Sequence, residues 1–225
     1  MAKRKGLKVK TKVGDLKWVF IKGEGRNNAM SGEEPRMQYV ASLECDTDGP
    51  VHKHFHDLVY KEWEAYKADF GLKGKPGKNK HGEYMDGMHP VLVDDENGVE
   101  DPDTGKVKKV KNGKTLITFK TNTTWPDGNP QVVKVFDGKG AEITEFYKNA
   151  DWYLGEGSTG IIHGSAVGNN AGDAHKVTLY LSAVQIAKLV KGEGDAPDTE
   201  EIEGAEDIDM EDGCSAIDSD QEPEV

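Results

Sequence analysis

The chain has 225 residues, 35% hydrophobic and 31% charged, with mean hydropathy −0.71 and a formal net charge of −12. Fifteen of its 41 acidic residues fall in 192–225, which holds no Lys or Arg, so residues 1–191 set all 29 basic residues against 26 acids and carry a net charge of about +3. Two distant cysteines, Cys45 and Cys214, exclude a disulfide framework, and the lack of any run of eighteen apolar residues excludes a membrane-spanning helix.

No apolar stretch of signal-peptide length follows the basic start MAKRKGLKVKTK, so the expectation is a cytoplasmic protein. A body of 1–191 is long enough for one domain with a sizeable core. The tail, 192–225, is expected to be disordered, because like charges repel and too few apolar groups offset the entropy of ordering.

Within the body, Leu16–Lys22 (LKWVFIK) and Arg36–Leu43 (RMQYVASL) have the β-branched and aromatic content of strands, separated by the polar loop GEGRNNAMSGEEP. Asp48-Gly49-Pro50 then opens a helix over 50–71. Its stripe of Val51, Phe55, Leu58, Val59, Trp63, Tyr66 and Phe70 recurs at three- and four-residue spacing, and Gly71 ends it. Residues 72–113 read as a long polar insertion, interrupted by the short apolar piece His89–Val93. Beyond it the pattern is strand throughout: Thr115–Thr121, Gln131–Phe136, a turn at Asp137-Gly138-Lys139-Gly140, Glu142–Phe146, Gly160–Val167 and Lys176–Ile186. In the last, Val177, Leu179 and Leu181 alternate with Lys176, Thr178, Tyr180 and Ser182, which predicts one buried and one wet face. Short strands with one helix predict a mainly β fold, a small antiparallel barrel or sandwich.

Basic residues form three clusters: Lys3, Arg4, Lys5, Lys8, Lys10 and Lys12; Lys73, Lys75, Lys78 and Lys80; and Lys106, Lys108, Lys109, Lys111 and Lys114. Each alone reads as a solvated surface. Together, beside a tail that mimics a polyanion, they point to a groove for phosphates. Single-strand binders add aromatic platforms, because every base has a π-face to stack. Trp18 and Phe20 alternate with the apolar Val19 and Ile21, Phe136 shares a strand face with Lys134, Tyr180 shares one with Lys176, and Trp125 ends a strand that carries Lys120. Arg36 begins another. The candidate binding set drawn from these is Lys8, Lys10, Lys12, Trp18, Phe20, Arg36, Lys75, Lys78, Lys108, Lys109, Lys111, Lys120, Trp125, Lys134, Phe136, Lys176 and Tyr180. His52, His54 and His56, with Cys45 nearby in sequence, lack the paired ligands of a structural zinc and read as polar residues of the helix's first turn, so no metal or other cofactor is expected. The glycine turns lack a phosphate loop's Lys-Ser/Thr ending, and nothing in the body pairs a nucleophile with a base, so an enzyme is not expected.

The carboxy-terminal half resembles the tailed-bacteriophage single-stranded DNA-binding proteins. The resemblance runs through ITFKTNTTW (Ile117–Trp125), QVVKVFDGKGAEI (Gln131–Ile143), GEGSTG (Gly155–Gly160) and VTLYLSAVQIAKLV (Val177–Val190), which leads straight into the acids. It implies a five-stranded OB-fold barrel that coats single-stranded DNA without sequence preference in phage replication, recombination and repair, in the cytoplasm of an infected bacterial host. It also implies a tail that modulates DNA binding or recruits phage replication proteins. Family tails commonly finish on an aromatic residue, whereas this chain finishes Glu222-Pro223-Glu224-Val225. The rival readings are an RNA-binding or strand-annealing protein on the same barrel, a protein-interaction module acting through its tail, and a metal-dependent hydrolase built on the histidine run.

Overall fold

The computed structural model describes residues 6–29, 34–73, 87–96, 98, 105–171, 174–192 and 198–201. In chain order these form β1 (Leu7–Lys10), β2 (Gly14–Phe20), β3 (Arg26–Asn27), β4 (Met37–Asp46), α1 (Pro50–Phe70), β5 (Met88–Asp94), β6 (Lys109–Asn122), β7 (Lys134–Phe136), α2 (Thr144–Asn149), β8 (Tyr153–Leu154), β9 (Thr159–Ala171), β10 (Ala174–Gly192) and β11 (Asp198–Glu201). Five strands close a circuit in which β2 pairs β4, β4 pairs β6, β6 pairs β10, β10 pairs β9, and β9 returns to β2. Every seam is antiparallel except β6–β10, which is parallel at Tyr180 and Lys120. A closed five-stranded barrel of mixed seams is the OB-fold arrangement. Closure removes the open edges, and β1, β3, β5, β7, β8 and β11 pair with parts of the barrel strands.

Alternation along each strand fills the barrel. Leu16, Val19 and Ile21, Ala41 and Leu43, Ile117 and Phe119, Ile162 and Ala166, and Val177, Leu179, Leu181, Val184 and Ile186 make one continuous core. Helix α1 packs on it through Phe55, Val59, Trp63 and Tyr66, with the Phe55 ring edge-on to Phe119 at 6.0 Å. Pro50 suits the first helical position, where no N–H is needed, and Gly71, at φ 63, takes the left-handed turn that ends the helix. The fit against β9 is tight. The Gly168 N–H donates to the buried Glu62 Oε1 at 3.0 Å, and a Cβ on Gly168 would meet Tyr66 at 2.4 Å. Only glycine lets the helix approach the strand this closely.

The expected elements appear, with several differences. Glu142–Phe146 reads as a strand, but 144–149 is the helix α2. The decisive contact is four residues apart, Ile143 to a wholly buried Tyr147, and the Thr144 hydroxyl satisfies the Val135 N–H at 3.1 Å. The amino-terminal lysine cluster, read as a solvated surface, includes β1, because Val9 and Thr11 are buried and hold it on β9. Inside the 72–113 insertion, β5 pairs with β6. Thr178, expected on the wet face, is buried, whereas Phe70 at the end of the helical stripe is exposed. Within 192–225, Asp198–Glu201 pairs antiparallel with Lys188–Lys191, and the other residues beyond Gly192 lie outside the described set.

Candidate nucleic-acid interface

Strand register assembles the candidate site from residues far apart in sequence. Phe20 pairs with Val40, Val40 with Lys120, and Lys120 with Tyr180, giving one row across β2, β4, β6 and β10. Their sequence neighbours Val19, Ala41, Phe119, Leu179 and Leu181 belong to the core, so this row lies on the outer side of the barrel wall, where Val40 is itself covered at 4% exposure and Phe20, Lys120 and Tyr180 flank it. Phe20 and Tyr180 are 38% and 39% exposed, enough to offer a ring to a ligand while the rest of the side chain is held. The row continues from Tyr180 to Ser165 and on to Lys8 of β1. Beside it a buried Ser42 hydroxyl meets that of Thr118 at 2.9 Å, and at the surface the Gln38 amide donates to Asn122 at 2.9 Å.

Trp18 joins this surface through a β-bulge. Between Lys17, opposite Ser42, and Phe20, opposite Val40, β2 holds one residue more than β4. The extra residue is accommodated at Trp18, whose φ is 51°, in the left-handed region where a tryptophan is strained by about 1–3 kcal/mol. Strict alternation would bury Trp18 with Leu16. The bulge instead leaves Leu16 2% and Trp18 59% exposed. The Arg26 guanidinium then sits over both rings, 5.7 Å from Trp18 and 5.6 Å from Phe20. Its loop returns close to the barrel because Gly25, at φ 71, has no Cβ to strike the Gln38 carbonyl.

The candidate residues divide by place. Lys8, Trp18, Phe20, Lys120 and Tyr180 share the row or adjoin it. Lys134 lies beside it on β7, opposite Ala183 and three residues along β10 from Tyr180, and binds Glu142 at 2.9 Å. That hydrogen bond, with a second from Thr144, holds the Glu142 carboxyl below its usual range. Arg36 and an exposed Trp125 stand at the end of the surface where β3 and the turn after β6 meet, the Arg36 N–H donating to Asn27 and the Thr123 N–H to Met37. Phe136 is half-buried opposite Gln185, and Lys176 lies four residues from Tyr180 opposite Asn169. Lys10 pairs with His163, whose pKa is lowered by burial and then by Lys10, while the Lys12 Nζ is enclosed without a hydrogen-bond partner among the described residues. Lys108, Lys109 and Lys111 belong to the β5–β6 arm; nine strand positions separate Lys111 from Lys120, about 30 Å at ordinary strand rise. Lys75 and Lys78 lie outside the described residues.

Sequence reading missed Arg26, Gln38 and Asn122. Arg26 opens β3 after a loop whose return depends on two left-handed glycines, and the two amides meet only through β4–β6 register. It also missed Lys22, which donates to the carbonyls of Ala150 and Trp152 and stands 4.2 Å over the Tyr153 ring, clamping the segment after α2. Next to it, burial pushes the Tyr147 hydroxyl up to about 12. Among the described residues, no group of three or more His, Cys, Asp or Glu could hold a metal, and no helix is long and apolar enough to cross a membrane.

The architecture defines a mainly β, OB-fold-like protein with a cation-and-aromatic surface across four strands. Among solved structures it is similar to gp2.5, a single-stranded DNA-binding protein encoded by bacteriophage T7, at 18% identity and TM-score 0.51 over 87% of this chain and 96% of that one. It is also similar to the single-stranded DNA-binding protein of bacteriophage Enc34 in complex with ssDNA, at 14% identity and TM-score 0.48 over 87% and 96% of the two chains. The likeness to gp2.5 shows a shared fold. No protein-family model and no curated protein sequence matches the chain.

Proposed function

We propose that this protein binds single-stranded DNA without general sequence preference, coating it during phage DNA replication, recombination and repair in the cytoplasm of an infected bacterial host. The observation that carries the reading is the register row Phe20–Val40–Lys120–Tyr180, flanked by Trp18 and Arg26. Aromatic faces of this kind stack unpaired bases, which a duplex keeps covered, and the interspersed cations meet the phosphates. The fold shared with gp2.5, itself a single-stranded DNA-binding protein, supports the same reading. The role is binding rather than catalysis. Of the candidate residues, Lys8, Trp18, Phe20, Lys120, Lys134 and Tyr180 form the centre of the path, with Arg36 and Trp125 at one end.

The tail acts as a competing polyanion. Fifteen acids in 192–225 oppose a remainder of about +3, and β11 brings the start of the tail alongside β10, the strand that carries Tyr180, with Glu201 in register with Lys188 and Asp198 with Lys191. Partner proteins of phage replication are its second audience.

The test is a fluorescence titration with oligo-dT over a range of salt. Affinity should fall linearly in log–log form, with a slope of about −0.7 per phosphate neutralised on a single strand. Lys120→Ala should make that slope shallower by about 0.7. A salt-insensitive affinity, or an unchanged slope in the variant, would remove Lys120 from the path.

A further inference from the structure

A cleft of about 630 Å3 opens beside the row, between β2 and the segment that leads from β8 into β9. Leu16, Val19 and Leu154 give it buried apolar lining, and Trp18 and Tyr153, at 59% and 50% exposure, offer it accessible rings. Both of its cations are engaged. Lys17 binds Glu156 at 2.6 Å, and Lys22 is held by the carbonyls of Ala150 and Trp152 over one face of the Tyr153 ring. Glu24 and Glu156 also line the cleft, so a phosphate entering it would meet carboxylates rather than an available ammonium. A neutral nucleobase suits it better, because a base brings a π-face for the two rings and an N–H edge for a carboxylate.

The carboxylate selects among the bases. The Watson–Crick edge of guanine presents two adjacent N–H donors, N1–H and N2–H, the pattern that one carboxylate accepts as a pair. Thymine and uracil offer one donor between two carbonyls, while adenine and cytosine set a donor beside an acceptor. The bulge at Trp18 supplies the other half of the device, since it turns this ring out of β2 where regular alternation would bury it.

We propose that the cleft takes one unstacked guanine of the bound strand, stacked against Trp18 and Tyr153, with the Glu156 carboxylate accepting from its N1–H and N2–H. This rests on the single-strand reading above and adds one base-selective position to an otherwise unselective path. Glu156, 85% exposed at the rim of the cleft, keeps its bond to Lys17 through Oε1, and that bond sets its carboxyl below the usual range.

The experiment compares full-length protein and two variants, Glu156→Gln and Tyr153→Ala, on oligo-dT and on the same oligomer with one central dG. Wild type should bind the dG oligomer roughly five- to tenfold more tightly, the low end for a paired-donor contact. Glu156→Gln keeps the side-chain shape and releases Lys17, so it should hold oligo-dT as well as or better than wild type while the dG preference falls to about one. Tyr153→Ala should lose the same preference. Equal binding of the two oligomers by wild type, or a preference that survives both substitutions, overturns the cleft assignment and leaves the single-strand reading standing. Failure of wild type to bind either oligomer overturns both.

Discussion

Replacing Tyr180 with Leu separates stacking from every other contribution at the row. The side chain is 39% exposed and borders Lys120 and Ser165 in register, while Leu179 and Leu181 on either side point into the core. Leucine keeps most of the apolar volume that covers the barrel wall, so the fold should lose less than about 1.5 kcal/mol. What it lacks is a π-face, and a stacked base contributes roughly 1 to 3 kcal/mol, which corresponds to a weakening of about five- to 150-fold. Oligo-dT titration can be followed through tryptophan fluorescence, because Trp18 and Trp125 are more than half exposed near the proposed path. Stacking releases no counterions, whereas phosphate contacts do. The log–log salt plot of Tyr180→Leu should therefore run parallel to that of wild type and lie below it. Tyr180→Phe, which retains the ring, should bind like wild type. Normal binding by the Leu variant would refute stacking at Tyr180, and a Phe variant that loses as much as Leu would assign the effect to the hydroxyl instead.

Trp18→Gly should move stability and binding in opposite directions. It relieves a left-handed backbone at an exposed residue and raises the unfolding free energy by about 1 kcal/mol in urea denaturation, while oligo-dT affinity drops roughly tenfold. A variant that is both less stable and fully active would contradict the bulge argument. Deleting 192–225 should tighten DNA binding most at low salt, where a tail of fifteen acids is least screened, and the gain should vanish near 0.5 M salt; equal affinities at low ionic strength would remove the tail from competition. The pKa of His163 is lowered from 6.5 by burial and by Lys10, so the folded protein keeps this imidazole neutral while the unfolded chain takes up the proton. Its contribution is present above about pH 6.5 and is lost as pH falls toward the folded value. Between pH 8 and pH 5.5, wild type should lose more stability than His163→Gln, and equal losses would show that His163 is not responsible.

Much of the fold was legible because it is local. Pro50 and Gly71 mark the ends of α1 through their own backbone constraints, and the Val177, Leu179, Leu181 alternation predicts the inner face of β10. The DGKG turn forms as read, with the Gly140 N–H donating to the Asp137 carbonyl and φ of 82° at Gly140. Helix α2 was not legible, because Ile143, Thr144 and Phe146 have strand character and only the burial of Tyr147 against the barrel favours a helical turn. Of the site, the aromatic residues were legible as types and Trp18 and Phe20 as a pair. Their partners were not: Arg26 reaches them over a glycine-shaped loop, and Gln38 finds Asn122 across a strand seam.

Charge partition, strand and helix periodicity and turn chemistry are properties of neighbouring residues, so the sequence by itself determined the acidic tail, the basic body and the mainly β plan. Which lysines join which rings was decided only by the tertiary structure. Phe20, Lys120 and Tyr180 share a row because closure of the barrel sets the register of β2, β4, β6 and β10 together, and Trp18 faces outward because one extra residue had to be absorbed where β2 meets β4. Register belongs to pairs of strands rather than to either one, and it becomes definite only once the whole circuit closes.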